Sequence, residues 1–181
     1  PNGAWCWFQD ERAIVDADHP EGPMLMFTAV SASKADSSEQ GDLDLHFYGV
    51  DTGQKGFVEL HDRLEQDDHN VAALHQLDTG EVLAVYARHG SDEFVRTARS
   101  GVHDPTDWSE SVLYAEEAGV TYSNLLTAGR GADQRLYNFS RSRGWNPNFL
   151  VYDDALQGWA YRGRLLASEG RPYLKYQSTR D

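Results

Sequence analysis

Apolar residues along this chain come in short runs, and in several of them polar and apolar positions alternate. The segments MLMFTAV, LDLHFYGV, VAALHQL, EVLAVYARH, FVRTARS, SNLLTA, RLYNFSRS, NFLVYDD and YLKYQS are rich in β-branched and aromatic residues, which suit a pleated, half-buried surface. Between them lie DTGQKG, LDTGEV, GRGADQ, RGWNPN and DDALQGW, whose Gly, Asp, Asn and Pro supply turn geometry. DSSEQGD, residues 36–42, reads as a polar loop. No segment holds a helical period over three turns. The pattern predicts an all-β protein.

The strands also recur. HNVAALHQLDTGEVLAVYARHG and YSNLLTAGRGADQRLYNFSRSRG share a polar start, a short apolar strand, a turn with Gly and Asp, a second strand, then Arg and Gly. The offset is 54 residues aligned on Asn70 and Asn124, and 53 aligned on Arg88 and Arg141. Each unit continues with a third strand and a Trp-bearing fourth, FVRTARSGVHDPTDWSESVLY and NFLVYDDALQGWAYRGRLL. An earlier partial unit fits FQDERAIVDA, MLMFTAV and LDLHFYGV, and RPYLKYQSTRD resembles the start of another. Four short strands at this period predict β-propeller blades, and DPTDW weakly echoes an Asp-box turn. Residues 1–181 then form one partial propeller domain of about three blades, with no linker or second domain. About three blades cannot close a ring, and an open wedge leaves two apolar faces wet. The expectation is therefore a piece of a longer polypeptide. A β-sandwich is the alternative architecture, and the repeat argues against it.

Composition adds limits. A length of 181 residues suits one domain, and no apolar run approaches the ~18 residues of a membrane span. PNGAWCWFQD lacks the basic and apolar regions of a signal peptide; a processed secreted protein or an internal piece would read the same. The single cysteine, Cys6, rules out an internal disulfide and reads as a small core residue between Trp5 and Trp7. Net charge is −13, with 4 Lys/Arg against 16 Asp/Glu in residues 1–80 and 12 against 13 in residues 81–181. That balance argues against a nucleic-acid partner. It leaves room for an Arg pocket in the second half, where a planar guanidinium can grip a carboxylate or sulfate in two places.

Blade register supplies candidate chemistry. In a propeller, equivalent positions on successive blades converge on one rim. His69 and Tyr122 are such equivalents, each just ahead of an Asn, and His89 and Arg141 end the second strands of their units. QDER, with Arg12, holds the matching place in the first unit. The repeat predicts that His69, His89, Tyr122 and Arg141 gather. Such a set suits β-elimination at a uronic acid. Arg, assisted by His or Asn, neutralises the carboxylate as charge builds on it, while Tyr and His remove the C5 proton and protonate the leaving oxygen. A free Tyr has a pKa near 10, so it needs a nearby cation to act as base.

GAWCWFQDERAI, DDHNVAAL, YARHG, TYSNLL, LYNFSRS and GRPYLKY together resemble the BNR-repeat propeller family that includes the ulvan lyases. The resemblance implies a seven-bladed propeller and β-elimination of a sulfated, uronate-containing algal polysaccharide. It matches His69, His89, Tyr122 and Arg141 to the family's catalytic positions, with the Tyr and one His in proton transfer and the Arg and other His on the acid group. It implies secretion and an anionic polysaccharide as partner, with the rest of the propeller from the same polypeptide and no membrane partner. No cofactor is required for the chemistry. A structural metal ion, zinc or calcium, is a family feature whose ligands are not assignable from this sequence.

Plainer roles compete at each position. His69 could cap the DD turn, His89 could be an ordinary turn residue, and Tyr122 could close the sheet. Arg143 rivals Arg141 if the strand runs that far. Asn70, Asn124, Arg88, Arg143 and Trp145 are candidate substrate contacts, although the two Asn residues could equally satisfy turn backbone. Asp67 and Asp68 read as solvated, as binding main-chain amides, or as cation ligands. Two other functions stay open: a sialidase-like glycoside hydrolase, for which Arg12, Arg88 and Arg141 could form an Arg triad, and a non-catalytic carbohydrate-binding propeller.

Overall fold

The strand β7 (Val82–Tyr86) buries every residue it carries. Side chains alternate across a strand, so a strand buried throughout needs a packing layer on each face. The computed structural model supplies both. It describes residues 3–4, 8–31, 40–170 and 172–173. The expectations for Cys6 with its flanking Trp residues, for most of the 36–42 loop and for most of RPYLKYQSTRD lie outside these residues.

Three antiparallel sheets follow one another in chain order. The first holds β1 (Gly3–Ala4), β2 (Ala13–Asp16), β3 (Met24–Ser31), β4 (Leu43–Gly49) and β5 (Lys55–His61) in the order β1-β3-β4-β5, with β2 also paired to β3. The second holds β6 (Ala73–Gln76), β7, β8 (Phe94–Gly101), β9 (Asp104–Trp108) and β10 (Val112–Ala115), ordered β10-β8-β7-β6 with β9 on β8. The third runs β11 (Leu125–Ala128), β12 (Arg135–Ser142), β13 (Asn146–Asp153) and β14 (Gly158–Arg164). Helical structure among the described residues is limited to 3₁₀ turns at Asp68–Asn70 and Gly131–Asp133. The all-β expectation holds. DPTDW forms strand β9, which splits the outer edge of the second sheet with β10.

Alternation decides which core each β7 residue joins. Val82, Ala84 and Tyr86 pack with Met24, Leu43, Leu45 and Phe47 of the first sheet. Leu83 and Val85, with Ala87 just past the strand, pack with Leu125, Leu136, Leu150 and Trp159 of the third. The innermost strands neighbour one another, β6 touching β2 and β11, and so do outer ones, β5 with β9 and β10 with β14. Polar staples cross both layers. Thr28 donates to the Ala72 carbonyl at 2.9 Å and accepts from the Ala72 N–H at 3.0 Å. The Trp159 indole donates to Thr97 Oγ1 at 2.8 Å. The segment at residues 10–11 runs between the innermost strands, its carbonyls accepting from Leu74 N and Leu125 N, each at 2.7 Å.

His103, which the sequence left without a role, ties the first two sheets. Its Nδ1 lies 2.7 Å from the Asp16 carboxylate, whose side chain is 1% exposed. The ring lies against Gly80, at φ +87°, where any Cβ would collide with it. Burial alone would raise the Asp16 pKa, but hydrogen bonds from His103 and Gln76, with the Asp18 N–H, bring it below the usual carboxylate value. A carboxyl depressed in the folded state stabilises the fold above its unfolded pKa, and that stability is lost as pH falls through the folded value. Urea unfolding of Asp16→Asn should show a loss of about 1–3 kcal/mol at neutral pH. Below about pH 4, the acid-induced loss seen in wild type should shrink in the variant. Equal acid sensitivity in the two proteins would show that Asp16 is not the linked group.

Candidate active site

The four residues singled out by repeat register meet at one end of the second and third sheets. Their backbones explain the meeting. Thr121 and Arg141 form an antiparallel bridge, each N–H donating to the other's carbonyl at 2.9 Å. Tyr122, next in the chain, adopts φ +64°, a left-handed conformation that costs a bulky L-residue about 1–2 kcal/mol. That turn carries its ring, in a residue 3% exposed, into contact range of the other three. The Arg141 guanidinium carbon lies 5.0 Å from the ring centre, and the His69 and His89 rings are each 5.8 Å away.

The two imidazoles stack on each other, with centroids 3.9 Å apart and planes 17° from parallel. Loop 65–70 sets them there. The Asp67 side chain caps the 3₁₀ turn by accepting from His69 N at 2.9 Å. Its Oδ1 is 2.5 Å from His69 Nδ1 and its Oδ2 3.1 Å from His89 Nδ1. Asp68 Oδ1 is 3.0 Å from the same His69 nitrogen. Glu65 Oε2 accepts from His89 N at 3.1 Å and from Asn70 Nδ2 at 3.0 Å. Gln9 donates to the His69 carbonyl. Burial opposes both acids, yet both pKa values fall: for Glu65 through Asn70, the His89 N–H and Ser91, and for Asp67 through the His69 N–H and both rings.

Beside Tyr122 lies a small recess of about 20 Å³, room for little more than a water molecule, lined by Asn124, Phe139, Ser140, Arg141 and Tyr173 among others. Tyr122 lines it and also contacts both imidazole rings. Arg141 is 4% exposed, and its Nε and one Nη find no hydrogen-bond partner among the described residues. Its guanidinium is instead surrounded by rings, at 4.5 Å from Tyr173, 5.0 Å from Tyr122 and 5.2 Å from Trp145. Cation–π contacts offset part of the cost of burying a charge, but a buried guanidinium with unmade hydrogen bonds is poised for an anion.

The other sequence candidates divide. Trp145 adopts φ +66° and packs its ring over Gly90, itself at φ +78°, which places it on Arg141. Asn124 lines the recess and spends its Nδ2 on the Phe139 carbonyl at 3.0 Å. Asn70 is fully buried and its Nδ2 holds Glu65, which braces the loop. Arg143 lies one residue past β12 and turns away at φ +48°. There it pairs with Glu116 at 2.8 Å and Glu117 at 2.5 Å and covers the Tyr161 ring at 3.8 Å. Arg88 points at Asp92, 3.6 Å away, beside the Arg96 pair. Tyr173, Ser140 and the double role of Asp67 were not found from sequence. For Asp67 the usable signal was an Asp two residues ahead of a His at a turn.

Asp67, His69 and His89 each offer a ligand atom, all within 4.8 Å of one another. A chelated ion needs ring lone pairs that converge. Lone pairs lie in the ring planes, and planes 17° from parallel run them side by side. The arrangement fits hydrogen bonds to a carboxylate and does not fit chelation.

No family model matches the sequence, and neither does any curated protein. Among solved structures, this chain is similar to a polysaccharide lyase described as a new family, PL25 ulvan lyase, with TM-score 0.62 and 15% identity over 92% of this chain. It is equally similar, at TM-score 0.62 and 14% identity, to a PL25 ulvan lyase bound to -[GlcA(1-4)Rha3S]-. The chain spans 39% of the length of each. At such identity the likeness is one of fold.

Replacing Arg141 tests whether it serves ligand or fold. Arg141→Met keeps bulk against the rings and removes an unpaired buried charge. Its unfolding free energy should be unchanged or raised by about 1 kcal/mol. A loss of about 3 kcal/mol or more in urea unfolding would show that Arg141 is a structural member of the aromatic cluster.

Proposed function

We propose that this chain is part of a β-propeller polysaccharide lyase that cleaves a uronate-containing, sulfated polysaccharide, ulvan being the best fit, by β-elimination. The observation that carries the reading is Arg141, a buried guanidinium with unmade hydrogen bonds, set beside a phenol and two stacked imidazoles. Arg141 and one imidazole receive the uronate carboxylate and stabilise the enolate formed when C5 loses its proton. Tyr122 and the other imidazole take that proton and return one to the oxygen leaving C4. The cation that a tyrosine base requires is present in Arg141. Side chains alone carry this chemistry. The similar structure with -[GlcA(1-4)Rha3S]- bound supports an anionic glycan as the partner.

The propeller part of the proposal rests on sheet placement. Innermost strands meet innermost strands, outer meet outer, and each flanking sheet turns an aromatic row outward. In the first, Phe57, Phe27 and His46 stack across three strands, with Phe57 65% exposed. In the third, Tyr137, Phe139 and Phe149 cluster with centroids 6.1–6.3 Å apart. Further blades of the same polypeptide would cover these rows. Secretion goes with a substrate that is an extracellular polymer. A sialidase-like hydrolase is the alternative reading, and product analysis separates the two, since a lyase leaves a C4–C5 double bond and a hydrolase adds water.

In the full-length protein, Tyr122→Phe and His69→Ala should each lower the rate at which the unsaturated product's absorbance rises by about 100-fold or more. Activity at the wild-type level in either variant would remove that residue from the mechanism.

A further inference from the structure

One carboxylate faces both imidazoles. In the sequence Asp67 reads as solvated, as binding main-chain amides, or as a cation ligand, but its two oxygens each take one ring, Oδ1 with His69 Nδ1 at 2.5 Å and Oδ2 with His89 Nδ1 at 3.1 Å. An ionised carboxylate only accepts hydrogen bonds, so each Nδ1 facing it must carry the hydrogen. A neutral imidazole has one N–H, so that choice leaves Nε2, across each ring from Asp67, as the bare lone pair. The carboxylate is itself fixed. It accepts from His69 N at 2.9 Å and caps the turn that begins there, while Glu65 pins the His89 main chain at 3.1 Å. The rings are thus set by one short loop, face to face at 3.9 Å.

We propose that Asp67 is the positioning residue of this site: one oxygen to each ring, it locks His69 and His89 together in the Nδ1–H tautomer and aims both Nε2 atoms at the bound sugar. This rests on the lyase reading for its consequence, since either imidazole must meet substrate through an unprotonated Nε2 or a proton delivered from it. The tautomer itself does not depend on that reading.

The substitution Asp67→Asn makes the proposal specific. An amide offers one acceptor and one donor where the carboxylate offered two acceptors. One ring can keep its Nδ1–H on the amide oxygen. The other then faces an N–H and presents a bare Nδ1, which moves its hydrogen to Nε2. Every measurement on this variant is made with Asp68→Asn in the background, because Asp68 Oδ1 lies 3.0 Å from His69 Nδ1 and would otherwise hold that hydrogen. Two-bond ¹⁵N–¹H correlation of the imidazole nitrogens reads this directly, without substrate. Wild type should show Nδ1–H tautomers at both His69 and His89, and Asp67→Asn should show one of each kind. On the full-length protein the variant's kcat should fall by about 100-fold or more with KM changed by less than about threefold, the pattern of a mis-set tautomer in a formed site.

An Nε2–H tautomer at either ring in wild type would overturn the proposal. So would an Asp67→Asn protein that keeps Nδ1–H at both rings, or zinc addition that shifts the Nδ1 signals of both rings together, which would mean chelation. If instead the tautomers are as stated but no unsaturated product forms from any uronate glycan, the lyase reading falls and the Asp67 assignment stands.

Discussion

β7 can be satisfied only by apolar layers on both of its faces, and the rest of the structure is arranged around that constraint. Its even-numbered residues need the first sheet and its odd-numbered residues the third. Once both sheets are in place, the loop before β6 and the turn before β11 lie side by side. The 10–11 segment, hydrogen-bonded to both strands, fixes their spacing. His69 and His89 come from the central sheet's loops, Tyr122 from the turn before β11 and Arg141 from the end of β12. The site is therefore a consequence of sheet stacking, and a core substitution that changed the spacing of the sheets would separate phenol from imidazole before it unfolded the chain.

Charge within the site is arranged by exclusion. Nearby acids are already engaged: Asp67 and Glu65 by the histidine loop, Asp92 by Arg96 and Arg88, Glu116 and Glu117 by Arg143. Arg141 is ringed by aromatic faces. On the proposed reading this matters, because a protein of net charge −13 repels a polyanion at long range. At physiological ionic strength that repulsion is screened beyond about 8 Å, whereas a buried guanidinium with hydrogen bonds unmade among the described residues acts at contact distance where screening is weak.

Much of this was legible in the chain, and the boundary has a physical shape. Strand periodicity and turn residues identified the all-β class, because alternation and burial are local properties. The repeat brought His69, His89, Tyr122 and Arg141 to one place, because equivalent positions in stacked sheets lie at the same end. What the sequence did not disclose was which side chains are consumed by partners far along the chain. Arg143 and Arg141 read as rivals until Glu116 and Glu117, on the segment between the two sheets, claimed one of them. Asn70 looked like a polar group at a site, but inside the loop it is a brace for Glu65. Asp67 looked like one of two solvated acids, since nothing local reports that a second imidazole arrives from residue 89. The left-handed turns at Tyr122 and Trp145 were also invisible, because neither residue type announces that conformation.

The central claim is that this cluster breaks a glycosidic bond by elimination. It is tested most directly by digesting a uronate-containing sulfated glycan with the full-length protein in heavy-oxygen water. Elimination takes no oxygen from solvent, so in products quenched before the reducing ends exchange oxygen with water the account predicts chain ends bearing a C4–C5 double bond and no incorporated label. Saturated ends carrying solvent oxygen would mark a hydrolase, and an intact polymer under conditions where it binds would mark a binding module; either result would contradict the account.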